Sequence, residues 1–181
     1  MDTQTLLQLD RDHVWHPCTQ QKDHEKLPPI AIERAEGVYL IDKSGRRYID
    51  AVSSWWVNLF GHNHPRLNNA LKTQIDKVSH HIFAGFTHEP AVELASRLCR
   101  LAPAGLNRVF FTDNGSSAVE AALKMSFQYW QQTQRPQKTK FVSLTDAYHG
   151  ETVGALSVSG CSLYKDIYRP ILLEGFQVQG P

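Results

Sequence analysis

FFTDNGSSAVEAALK, residues 110–124, passes within five small polar residues from an apolar run to an amphipathic helical pattern. The preceding RVFFT, 108–112, reads as a short strand. After Ser117, the positions Val119, Ala122, Leu123, Ser126, Phe127 and Trp130 recur at helical spacing to about Gln132 and mark an expected buried face. A strand entering a helix through Asp-Asn-Gly-Ser-Ser admits two readings. One is an ordinary junction closed by a capping box from Ser117 to Glu120. The other is an anion site, because the first amides of a helix lack partners and the dipole end favours negative charge, typically a phosphate. GxxxxGK[ST] is absent from the sequence, which argues against a nucleoside triphosphate loop.

Working downstream, the breaker QQTQRPQKT leads into a second strand, KFVSLT (140–145), and TDAYHGETVG is a loop opening a short helix. Strands alternating with helices give an α/β class with a mainly parallel sheet flanked by helices. In such a sheet DAYHGET, 146–152, shares with TDNGSS the carboxyl edge at which ligands bind. Tyr148 could stack on a flat ring there, with His149 and Glu151 as polar contacts; the alternative is a Tyr-His pair filling a loop. Upstream, GVYLIDKSGRRYIDAVS alternates about Lys43-Ser44-Gly45 as a hairpin. Helices are expected from Pro65 to about His81 and from Pro90 to Leu101, and residues 1–30, broken by His16-Pro17 and Pro28-Pro29, read as an irregular arm. Two sheet strands before LLEGFQVQGP are too few to stand alone, so the chain is expected to be incomplete, and its unpaired apolar edge would favour aggregation.

Composition narrows the function classes. With 181 residues, 41% hydrophobic and 20% charged, the chain is globular in balance; 19 basic against 18 acidic residues leave no nucleic-acid footprint. No secretory leader is visible and no run approaches a membrane span of ~18 apolar residues. Cys18, Cys99 and Cys161, without a CxxC pair, suggest free thiols and a cytoplasmic setting. His62, His64, His80, His81 and His88 lack metal-ligand spacing and read as surface or capping histidines. In HPCT, 16–19, a nucleophilic Cys18 would need a third orienting group that cannot be named. SSWWVNLFGHNHP, 53–65, sets paired tryptophans beside serines, either as core packing or as a pocket wall.

WHPCT, SSWWVNLFGHNHP, HxxFAGFTHEPA, FFTDNGSSAVEAALKM and AYHGET, in this order and spacing from about residue 12 to residue 160, resemble class III aminotransferases of fold type I. DNGSSAVE and YHG carry the class, and the WHPxT arm with SSWW points to its biotin-pathway branch. The resemblance implies a pyridoxal 5′-phosphate enzyme acting as a homodimer on S-adenosylmethionine and 8-amino-7-oxononanoate. Carried over by position, Gly115 and Ser116 hold the cofactor phosphate, Tyr148 lies over its ring and faces the substrate, and Trp55 contacts the substrate. Cys18 occupies a substrate-recognition position where the family often has tyrosine. Residues 1–58 would form an arm and hairpin of the small domain, and 59–181 the first part of the large cofactor-binding domain. The Schiff-base lysine is expected beyond residue 181, so residues 1–181 alone are expected to be inactive. The runner-up readings are a class III aminotransferase with another amino donor and a non-catalytic binding or dimerisation module.

Overall fold

The computed structural model describes residues 1–180, and the chain divides into two compact units, Met1–Phe86 and Thr87 onward. The arm opens on a helix, Thr3–His13, where an irregular segment was expected. Asp2 starts it by accepting the Thr5 amide at 3.0 Å, and Arg11 and His13 lie in its last turn, where positive charge suits the dipole. This polar helix buries none of its residues, so the apolar periodicity by which a sequence announces a helix is weak here.

The expected hairpin forms from β2 (Tyr39–Asp42) and β3 (Arg47–Ile49), and β1 (Ile32–Glu36) adds an antiparallel third strand. The turn is organised by Asp42, whose carboxylate accepts from the Ser44 amide, the Ser44 and Tyr48 hydroxyls and the Arg46 amide. These bonds, the Ser44 hydroxyl foremost, hold its acid form down to about 2. Ile41, on β2, is the buried hydrophobic residue of this unit. The next helix spans Pro65–Lys77 and stops short of His81, because Val78 is already extended.

In the second unit a helix over Glu89–Leu101 carries Pro90 in its first turn and is capped by His88, whose Nδ1 accepts the Ala91 amide. The long helix runs Gly115–Gln132. β4 (Phe141–Leu144) pairs in parallel with β5 (Gly175–Val178), a strand the sequence reading did not anticipate. The expected strand at 108–112 is not one: a strand is defined by its ladder, and among the described residues none lies beside this segment. Phe110 and Phe111 stay exposed. The expected buried face of the long helix is likewise not covered, as none of its residues is buried. The core of this unit is instead the short helix Val153–Val158, where Ala155 and Leu156 are buried and Ser159 is wholly enclosed.

Candidate functional site

The start of the Gly115–Gln132 helix is capped by Asn114, whose Oδ1 accepts the Ser117 amide at 2.9 Å and whose carbonyl accepts the Ala118 amide. The Ser117 hydroxyl turns back onto Asp113 and, as the largest contribution, holds that carboxyl below its ordinary range. Among the described residues, the Gly115 and Ser116 amides have no acceptor in the chain. A Cβ built on Gly115 would meet nothing within 4 Å. Two donors at the positive end of an 18-residue helix are therefore left without an acceptor, a fit for a phosphate.

The capping box of the alternative reading of this junction, from Ser117 to Glu120, does not form. Glu120 reaches across to a second helix instead. Its Oε1 accepts the Thr152 hydroxyl at 2.5 Å, the Gly154 amide at 2.8 Å and the Ala155 amide at 3.2 Å. A carboxylate thus caps the start of Val153–Val158, and these bonds, the Thr152 hydroxyl first, depress its acid form. Gly154 permits the approach, because a Cβ there would fall within 2.2 Å of the carboxylate.

That lock brings the second loop onto the first. Gly150 is buried at φ +115°, and a Cβ on it would lie 2.1 Å from Ser116 Oγ. The 146–152 loop is held from behind by Ser159, whose Oγ accepts the His149 amide at 3.0 Å, and by the Gly160 amide donating to Ala147. Tyr148 is exposed, donates to Glu151 at 3.2 Å and meets Tyr164 edge-on at 6.2 Å. Gly115, Ser116 and the Tyr148 loop are therefore neighbours, while His149 contributes through its backbone.

Cys18 and Trp55 belong to the other unit. Cys18 is an exposed free thiol with φ +53°, lining a surface depression with Trp15, His16, Thr19 and His24. His16 is engaged by Asp10 at 2.9 Å. Trp55 and Trp56 are 67% and 75% exposed, so this chain buries neither as core. Ser53, Ser54, Trp55 and Trp56 form a left-handed turn, with φ of 50°, 48°, 70° and 65°. Such geometry costs roughly 1–2 kcal/mol for each L-residue and normally occurs one residue at a time. Asp50 braces it, with its acid form held down mainly by the Ser54 amide and hydroxyl and then by His62.

The family model for "Aminotransferase class-III" matches residues 19–179. The chain belongs to the class-III aminotransferases. It is 47% identical over 180 residues to adenosylmethionine-8-amino-7-oxononanoate aminotransferase of Geobacter sulfurreducens, covering 99% of this chain and 40% of that protein. The crystal structure of the Methanocaldococcus jannaschii enzyme of the same name superposes with a TM-score of 0.93 at 41% identity, covering 99% of this chain and 41% of that one. An omega transaminase from Pseudomonas jessenii, solved in complex with PMP, follows at a TM-score of 0.88 and 33% identity over 97% of this chain and 39% of its own. The class-III chain described here thus spans about 40% of the length of the curated relatives it matches. These transaminase neighbours also place its helices and sheets in the α/β class expected. Among the described residues no helix is long and apolar enough to cross a membrane, and no group of three His, Cys, Asp or Glu is arranged to hold a metal.

The sequence reading missed three features: the Glu120 lock in the second unit, and the Asp50 brace and left-handed Trp turn in the first. Glu120 was visible, but its partners lie more than thirty residues away. A serine-rich turn with no glycine carries no signal for left-handed backbone.

Proposed function

We propose that the complete protein carrying this chain is a pyridoxal 5′-phosphate-dependent aminotransferase. It would transfer the amino group of S-adenosylmethionine to 8-amino-7-oxononanoate, giving 7,8-diaminononanoate, and act as a cytoplasmic homodimer. The observation that carries the cofactor reading is the pair of unaccepted amides at Gly115 and Ser116, packed beside the buried Gly150. The names of the relatives support the substrates.

In this reading the Gly115 and Ser116 amides and the Ser116 hydroxyl hold the phosphate through charge-assisted hydrogen bonds. Tyr148 covers the ring, its hydroxyl oriented by Glu151. When bound, the cofactor supplies the electron-accepting ring that transamination requires. Trp55, Tyr148 and Cys18 contact the substrate, the indole offering an apolar face to its methylene chain and the thiol a small, weakly polar one. The domain division proposed with it places 1–58 in the small domain and the rest in the large one.

A second reading, an aminotransferase using another amine, is favoured by the likeness to omega transaminases at TM-scores of 0.88–0.90. The test loads the complete enzyme with the cofactor and offers 8-amino-7-oxononanoate with either S-adenosylmethionine or a simple primary amine. Diamine formed only with S-adenosylmethionine supports the proposal; diamine formed only with the simple amine overturns it in favour of the second reading.

A further inference from the structure

The left-handed Ser53–Trp56 turn raises the question of what holds four L-residues in a conformation that each disfavours. The answer is one carboxylate. Asp50, with its side chain 5% exposed, accepts the Ser54 amide at 2.8 Å, the Ser54 hydroxyl at 2.7 Å and His62 Nε2 at 2.8 Å. Asp50 and His62 are themselves fixed. The Asp50 amide donates to Val38 at 2.9 Å, which ties it to the hairpin. His62 exchanges backbone bonds with Gly37 in both directions, at 3.2 and 2.7 Å. The turn then closes through Trp56 donating to Val52 and Val57 donating to Ser53.

The turn fixes how the two indoles meet, with centroids 5.5 Å apart and planes at 62°. An ordinary right-handed or extended path through the same four residues would send them elsewhere. We propose that Asp50, seated by His62, is a positioning residue for the indole pair, setting the angle at which Trp55 and Trp56 meet the apolar chain of the keto-acid substrate. The substrate half of this statement rests on the reading of Trp55 as a pocket wall given above; the clamp itself rests on the hydrogen bonds.

The test uses the complete enzyme with cofactor and reads two quantities, KM for 8-amino-7-oxononanoate and the near-ultraviolet circular dichroism of the coupled indoles. Asp50→Ala is expected to raise KM by about tenfold, the scale of one lost apolar contact in a pocket, and to flatten the dichroic signal. Replacing Ser53 and Ser54 by glycine in that background should restore part of both, since glycine relieves the positive-φ strain at two of the four positions. Failure of the glycine pair to restore either, or an Asp50→Ala variant with unchanged KM and dichroism, overturns the proposal. If Asp50→Ala does not fold, Asp50→Ser, whose hydroxyl is too short to reach the Ser54 amide, is read by the same two criteria with the same glycine rescue. Trp55→Ala separates the two claims. An unchanged KM there overturns the pocket wall and the substrate half of the proposal, and the dichroism with its glycine rescue then decides the clamp.

Discussion

Gly150→Ala should damage the phosphate cradle from behind. The residue is buried at φ +115°, a region L-residues avoid at a cost of roughly 1–3 kcal/mol. The added methyl would lie 2.1 Å from Ser116 Oγ, 2.9 Å from its Cβ and 3.1 Å from its Cα. Rotating the hydroxyl relieves only the first of these contacts, so the backbone at the helix start must also move. Overpacking of this kind costs about 1–3 kcal/mol. If about 3 kcal/mol of the total falls on the binding-competent geometry, cofactor affinity drops by about 100-fold. The assay is equilibrium titration of the complete apoenzyme with pyridoxal 5′-phosphate, beside a thermal melt. Gly115→Ala is the control, because its methyl meets no chain atom within 4 Å. It should leave the apoenzyme melt unchanged and weaken only the loaded state. A Gly150→Ala protein with parental affinity and melting temperature would refute the packing of the two loops.

Glu120→Ala should destabilise the apoenzyme by about 2 kcal/mol, since three donors lose a charged acceptor. The folded acid form of Glu120 is depressed from its ordinary 4.5, so its stabilisation is present above that value and lost as pH falls through the lower folded one. Melts from neutral to acid pH should therefore show parent and variant converging; a constant gap contradicts the assignment. Tyr148→Phe keeps the ring face and removes the hydroxyl bonded to Glu151, so cofactor affinity should hold while turnover falls; loss of affinity in a titration would contradict the stacking role. Cys18→Ser should be nearly neutral in steady-state kinetics, as the thiol is exposed and His16 is engaged by Asp10. An inactive, folded serine variant would make Cys18 a nucleophile.

The parts of the fold that were legible are those whose signal is local. Gly115–Gln132, Glu89–Leu101, β4 and the hairpin about Gly45 announce themselves by periodicity and turn chemistry, and each appears within a few residues of its expected bounds. Strand pairing was less legible because it is settled by partners distant in sequence. RVFFT has the residues of a strand and no ladder among the described residues, while the unremarkable GFQV becomes β5 by lying beside Phe141–Leu144. The rule about strand ends brought TDNGSS and DAYHGET together, and Gly150 does lie against Ser116, although among the described residues only DAYHGET follows a paired strand. Exposure was the least legible property. Leu67, Leu71 and Ile75 keep helical spacing and Val92, Leu94 and Leu98 do the same, yet all six stay exposed in this chain. Periodicity says which face is apolar and does not say what covers it.

The central claim, that the helix start at Gly115 and Ser116 binds the cofactor's phosphate, is tested most directly by comparing pyridoxal 5′-phosphate with pyridoxal. Both would be titrated into the parent and the Ser116→Ala form of the complete apoenzyme. The account predicts that the phosphate's advantage shrinks in Ser116→Ala by about 1.5–3 kcal/mol, the value of a hydrogen bond to a charged group, while pyridoxal itself binds the two proteins alike. An undiminished advantage of the phosphate in Ser116→Ala would contradict it.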